Sequence, residues 1–248
     1  MRSRLSARLA LLTCVISVVS LLGLSGCTPP NSQELPVGSG SQSSQGATPA
    51  EQATQTPSVS QEAKMYTPGY VPNGAEVAII KTTQGTITVK LFGKEAPINV
   101  GNFIELAQKG FYTDVKFHRL EPGFVIQGGD PQTKGLTPDK VKELVAKQKT
   151  GANTQGEPII GTGGPGYTIK GEFDLKTNPH KHVDGTLAMA RSQSPDSAGS
   201  QFYFTLGPHS FLDGGYTVFG QTTSGLDVVH KLGVGDTIES VTIENATK

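Results

Sequence analysis

The chain has 248 residues, with 21 basic and 21 acidic side chains, so its formal net charge is zero. That balance excludes the basic excess of a dedicated nucleic-acid binder, and the two cysteines, Cys14 and Cys27, are too few for a disulfide framework or a cysteine-built zinc site. With 31 glycines and 16 prolines the protein is rich in turns, and the composition excludes collagen, coiled coil and polytopic membrane protein.

Residues 1–26 carry Arg2, Arg4 and Arg8 ahead of an uncharged apolar stretch from Leu9 to Leu24. That stretch is short of the roughly 20 apolar residues a spanning helix needs. A basic start followed by a short apolar core reads as a secretory signal, with an uncleaved anchor helix as the alternative. Either places the remainder outside the cytoplasm. The segment ends in Leu24-Ser25-Gly26-Cys27, which resembles a bacterial lipobox. The resemblance implies cleavage before Cys27 and lipidation of its thiol, hence a membrane anchor. Residues 28–64 are built from Ser, Gln, Thr, Pro, Gly and Ala, with only Leu35, Val37 and Val59 as larger aliphatic side chains. Such a stretch cannot bury enough surface to offset its ordering entropy. The expected organisation is therefore a signal over 1–26, a lipidated cysteine and disordered linker over 27–66, and one folded domain over 67–248.

In the folded part, Glu76–Lys81 and Gly85–Phe92 are β-rich runs that predict a hairpin; in the second, Ile87, Val89 and Leu91 alternate with Thr86, Thr88 and Lys90. A helix follows, with Pro97 in its first turn, an apolar stripe of Val100, Phe103, Ile104 and Ala107, and Gly110 just past its end. Residues 131–160 interrupt the strand pattern. There Thr137-Pro138-Asp139 predicts the start of an inserted surface helix with Val141, Leu144 and Val145 on one face. Short strand-like runs lie at Lys116–Leu120, Phe124–Gln127, Gly185–Ala190, Gln201–Leu206 and Thr217–Phe219, and a last helix at Gly225–Leu232. Many short strands with few helices predict a mainly β barrel capped by helices.

Three local patterns carry less than they suggest. Gly161-Thr162-Gly163-Gly164-Pro165-Gly166 satisfies G-x-G-x-x-G, but a dinucleotide site needs a helix N-terminus next and the following Tyr167–Gly171 is β-like, so a turn is expected. His180 and His182 have an i, i+2 spacing that could present both to a metal, yet Asp184 is the only adjacent carboxylate. Exposed loop histidines and no metal are expected. Gly199-Ser200-Gln201 lacks the second glycine of a nucleophile elbow, which argues against a hydrolase.

The informative segments are Phe117-His118-Arg119-Leu120-Glu121-Pro122-Gly123-Phe124-Val125-Ile126-Gln127-Gly128-Gly129-Asp130, then Gln201-Phe202-Tyr203-Phe204, then Phe211-Leu212-Asp213-Gly214-Gly215-Tyr216-Thr217-Val218-Phe219-Gly220. In that order, from about Glu76 to Ile243, the chain resembles the cyclophilins, the peptidyl-prolyl cis–trans isomerases. The resemblance implies a closed eight-stranded antiparallel barrel with a helix at each end. It implies that Arg119 is catalytic, that Phe124, Val125, Tyr203 and Leu212 form the proline pocket, and that Gln127, Ala190 and Gln201 contact the substrate backbone. Phe211 stands where many eukaryotic members have tryptophan, which implies weaker cyclosporin binding. Tyr216 replaces a rim histidine, Arg191 replaces a common asparagine, and the 131–160 insertion has no counterpart in the minimal pattern. No cofactor is implied. The expected partners are proline-containing segments of exported proteins and a membrane reached through the lipid anchor, with no nucleic acid, and the expected state is a monomer. The competing reading is a tethered chaperone or scaffold that captures Pro-containing segments with little turnover.

Overall fold

The computed structural model describes residues 64–245; the expected signal, Cys27 and the linker up to residue 63 lie outside the described residues. The described chain opens with a short strand, β1 (Met65–Tyr66), followed by the hairpin β2 (Glu76–Thr82) and β3 (Gly85–Leu91). Period-two alternation does what the sequence predicts: Ala78, Ile80, Ile87, Val89 and Leu91 are buried while Lys81, Thr86 and Lys90 are exposed. Helix α1 (Pro97–Gln108) starts on Pro97 and ends before Gly110, whose φ of 65° is the left-handed conformation that closes the helix. Its Val100, Phe103, Ile104 and Ala107 are buried, and the helix lies against the last strand of the chain.

The single strand expected over Lys116–Leu120 is two strands, β4 (Val115–Lys116) and β5 (Arg119–Glu121). The break has a plain cause in hydrogen bonding. Phe117 N donates to Asp236 O at 2.9 Å, on one side of the sheet, and His118 N donates to Gln127 O at 3.0 Å, on the other. Next come β6 (Val125–Gly128), the inserted helix α2 (Pro138–Thr150), β7 (Thr168–Ile169), β8 (Thr186–Met189), β9 (Phe202–Thr205), β10 (Val218–Ser224), α3 (Leu226–Lys231) and β11 (Thr237–Asn245). β1 and β7 form a separate parallel pair; the other strands make one nine-stranded sheet ordered β4-β11-β2-β3-β10-β8-β9-β6-β5, antiparallel throughout.

This corrects the expected closed barrel of eight strands and two helices. The sheet is a curled half-barrel of nine strands, its edges β4 and β5 do not pair, and three α-helices accompany it among the described residues. The two edges are consecutive in the chain, so Phe117 and His118 bridge the gap by covalent continuity instead of by a ladder.

Inside the curl, Phe103, Tyr112, Phe117, Phe202, Phe204 and Phe219 are fully buried and pack edge-on, as in Phe103–Phe202 at 5.8 Å and Phe202–Phe204 at 6.0 Å between ring centroids. Each such side chain contributes about 1.5–3 kcal/mol through burial alone. A second, smaller cluster lies apart from this core: Val125, Ala188, Tyr203, Leu212 and Val218, with Phe92, Phe124, Ala190 and Tyr216 against it. Alternation sorts the two. Ile126, Leu187, Phe202 and Phe204 belong to the main core while their strand neighbours Val125, Ala188 and Tyr203 belong to the second cluster.

The insertion is a capped helix, as its sequence predicts. Thr137 Oγ1 accepts from Lys140 N at 3.2 Å, and Gly151 closes the helix at φ 69°. Val141 and Leu144 are buried; Val145 is only half-buried. Lys147 Nζ donates to Glu157 Oε1 at 2.9 Å, and this bond, with one from Thr154 N, holds the Glu157 carboxyl down at about 2. At the opposite end of the described chain, Glu105 ties down the segment after β1. Its carboxylate accepts from the Tyr66 hydroxyl at 2.6 Å, Gly69 N at 2.7 Å and Tyr70 N at 2.9 Å.

Candidate active site

Strand register gathers the site. Arg119 on β5 is opposite Gln127 on β6, Gln127 is opposite Tyr203 on β9, Tyr203 is opposite Ala188 on β8, and Ala188 is opposite Val218 on β10. Five strands thus place one row of residues on the same face, the face of the second cluster. Gly129, at φ 92°, lets β6 leave this row beside β9: a Cβ there would lie only 2.3 Å from Ser200 O.

Against the row lies a pocket of about 180 Å³, lined by Arg119, Phe124, Val125, Gln127, Ala190, Arg191, Tyr203, Leu212 and Tyr216. Eight of the ten expected site residues are therefore brought together. Gln201 sits in an adjoining groove of about 890 Å³, within bonding distance of Gln127. Phe211 stands on the rim, 74% exposed, stacked on Phe124 at 5.7 Å between centroids.

A chain of polar contacts runs along one edge. Arg119 Nη1 donates to Gln127 Oε1 at 3.4 Å, and Gln127 Nε2 donates to Gln201 Oε1 at 2.9 Å. Gln201 Nε2 then donates to Gly161 O at 3.0 Å and Gly163 O at 2.8 Å. The amides of the same two glycines donate to the buried carboxylate of Asp130, which also accepts from Gln132 N. The glycine-rich segment is the turn its sequence predicts, followed by β7 and not by a helix, and it serves as the platform for Gln201. The Arg119 guanidinium is 46% exposed, with its Nε 3.5 Å from Glu121 Oε1.

The apolar side of the pocket rests on a buried polar device. Tyr203 Oη lies 3.0 Å from His182 Nε2, and His182 Nδ1 lies 2.9 Å from Asp213 Oδ1. Burial pushes the His182 imidazole below its ordinary value, against the pull of Asp213, and pushes the Tyr203 hydroxyl well up. The neutral ring therefore donates from Nδ1 to Asp213 and accepts the Tyr203 proton at Nε2. Exposed histidines were the expectation here, and the structure corrects it. The His182 ring is fully buried, while His180 is half-buried and stacks on Phe92 at 3.5 Å between centroids. Their partners come from distant segments, so the i, i+2 spacing does not unite them at one site.

Arg191 is the site residue to which the sequence assigned no place in the pocket. Its Nε donates to Gly215 O at 2.9 Å and its Nη1 to Ser192 O at 2.9 Å and Gln193 O at 3.2 Å. Its guanidinium lies 4.6 Å from the Tyr216 ring centroid. An arginine following Met189-Ala190, two residues beyond the end of β8, was the only available signal.

Comparison with known proteins agrees with this geometry. The family model described as cyclophilin type peptidyl-prolyl cis-trans isomerase/CLD matches residues 77–248. The chain is 40% identical over 171 residues to a peptidyl-prolyl cis-trans isomerase of Helicobacter pylori, covering 68% of this chain and 87% of the relative. It is 39% identical over 158 residues to peptidyl-prolyl cis-trans isomerase B of Bacillus subtilis, covering 64% and 90%. Among solved structures, a Cryptosporidium parvum cyclophilin-type isomerase, determined in the presence of the dipeptide Ala-Pro, superposes with a TM-score of 0.53 at 25% identity, covering 68% of this chain and 99% of that one. With a matching model over more than half its length and relatives at this identity, the chain belongs to the cyclophilin-type peptidyl-prolyl cis–trans isomerases and is an enzyme of that activity.

Proposed function

We propose that this isomerase acts on the X-Pro bonds of exported proteins outside the cytoplasm, held to a bacterial membrane through Cys27, with Arg119 as its catalytic residue. Rotation about an X-Pro amide meets a barrier of about 18–20 kcal/mol from resonance and takes tens to hundreds of seconds unaided. No bond is broken, so the task is to favour a twisted amide whose nitrogen has regained its lone pair. Arg119 suits that task because its guanidinium stays charged and donates in a fixed fork. Directed at the prolyl nitrogen, it binds the pyramidal form better than the planar one, and only such differential binding accelerates the step.

The neighbours divide the remaining work. Phe124, Val125, Tyr203 and Leu212 seat the proline ring and exclude water, which strengthens the electrostatic term. Gln127, Gln201 and the Ala190 backbone hold the flanking chain while the bond turns, and Phe211 and Tyr216 supply an aromatic rim. The observation that carries this reading is the register row that sets Arg119 against Gln127 and Gln127 against Tyr203, with all three lining the apolar pocket.

One charge-assisted hydrogen bond is worth about 1.5–3 kcal/mol, so Arg119→Ala is expected to lower kcat/KM on an X-Pro peptide by about one to two decades with binding largely kept. Undiminished turnover in the variant would remove Arg119 from the mechanism, and a parent that binds the peptide without accelerating it would leave only the tethered binding module. Location rests on the basic, apolar and small-residue pattern that ends at Cys27. Labelled palmitate is expected in the membrane-bound parent and absent from Cys27→Ser; labelling that persists in the variant would sink the anchor.

A further inference from the structure

We infer that this isomerase selects substrates with an acidic side chain near the X-Pro bond, and that Arg191 and Lys64 make the selection. The inference rests on the reading that substrate lies across the Arg119 pocket. Arg191 lines both that pocket and the adjoining groove, and Lys64 lines the groove as well. No Asp or Glu is among the residues that line either space.

The two pocket arginines differ in what faces them. Arg119 has Glu121 Oε1 at 3.5 Å, whereas among the described residues no carboxylate lies within ion-pair reach of Arg191. The Arg191 donors go to the three main-chain carbonyls of Gly215, Ser192 and Gln193, which fix the fork without neutralising it. Its plane is further held against Tyr216 at 4.6 Å and Phe173 at 5.8 Å. The cation is therefore pre-organised, so a carboxylate that reaches it does not bear the cost of ordering a mobile side chain. Lys64 is anchored differently. Its main-chain oxygen accepts from Thr168 N at 3.1 Å, which sets the root of its exposed side chain at the groove edge. A concave groove lined by two cations and no anion focuses a positive potential. An Asp or Glu on the arm of the substrate that enters the groove is attracted, and a Lys or Arg there is repelled.

A purely structural role for Arg191, tying residues 192–193 to the Gly215 turn, makes no such distinction between substrates. The test uses X-Pro peptides carrying Glu, Ala or Lys two residues before or two residues after the proline, with kcat/KM measured for the full-length protein at low salt and at about 0.5 M salt. On one arm, Glu is expected to exceed Lys by about tenfold at low salt, shrinking to about threefold at high salt. Arg191→Gln is expected to bring that ratio within about twofold, whatever it does to the rate on the Ala peptide. Lys64→Glu touches an exposed side chain and is expected to cut the ratio by about threefold, which keeps the test decisive if the arginine variant folds poorly. Equal rates for the Glu and Lys peptides on both arms of the parent, or a ratio unmoved by both variants, overturn the inference. Turnover of the Ala peptide reports the isomerase itself, so the two failures are distinguishable.

Discussion

At the scale of single residues, Tyr203 shows how a pocket wall can depend on chemistry behind it. Its ring closes the pocket while its hydroxyl donates to a buried, neutral imidazole that is itself fixed by Asp213. Tyr203→Phe keeps the ring and leaves His182 Nε2 without a donor. A buried acceptor so stranded costs about 1–3 kcal/mol, so urea unfolding is expected to show that loss while kcat/KM changes by less than about threefold. A stability change below about 0.3 kcal/mol would mean that water replaces the hydroxyl, and a tenfold loss of turnover would put the hydroxyl itself to work on the substrate. Arg119 and Gln127 were legible because both lie in one short run, Phe117–Asp130, that resembles the cyclophilin motif, and Tyr203 because it lies in a second, Gln201–Phe204. His182 and Asp213 were not. They sit 31 residues apart, and a lone histidine in a loop gives no sign that a distant carboxylate will meet its ring.

Among the elements, the strands that alternate cleanly were the ones the sequence could show. β11 escaped although it is nine residues long and spans the whole of β2. Its register shifts between Ile238 and Ser240, so the buried Ile238 and Val241 fall three apart and the period-two signal is lost. The inserted helix was readable from Thr137, Pro138 and its apolar face, because caps are local. Its connection to the site was not, since that depends on where the chain returns. It returns at Gly161–Gly163, where Asp130 takes the two amides and Gln201 takes the two carbonyls. Asp130→Asn turns one acceptor oxygen into a donor facing N–H groups, so the turn loosens and Gln201 loses its seat. The expected result is faster hydrogen exchange at Gly161 and Gly163 and about a tenfold lower kcat/KM, the equivalent of one weakened hydrogen bond of about 1.4 kcal/mol. Faster exchange with unchanged turnover would confine Asp130 to folding and disconnect the insertion from Arg119.

Over the whole molecule, three buried or half-buried histidines set how stability follows pH. His118, His180 and His182 each have a pKa lowered from 6.5, in every case first because burial penalises the charged ring, with Asp130, Glu95 and Asp213 respectively pulling the other way. Lowered values mean that the unfolded chain takes up protons before the folded one does. Their contribution is therefore fully present above about 6.5 and is lost as pH falls from there towards the folded values. Each proton taken up only by the unfolded state costs about 1.4 kcal/mol per pH unit. The carboxylates that are held low act later and with the same sign. Burial alone would raise Glu105 and Asp213, but their hydrogen bonds outweigh it, and Asp114 is held down by Lys116. Stability measured by urea unfolding is thus expected to be level from about pH 8 to 6.5 and to fall by about pH 5.5, before ordinary carboxylates titrate. His182→Gln removes one of the three titrating rings and should make that fall shallower, even though it lowers the plateau by breaking the bonds to Asp213 and Tyr203. Stability that stays level down to pH 5, or rises, would show that the three rings titrate alike in the folded and unfolded chains. An unchanged slope in His182→Gln would assign the fall to His118 and His180.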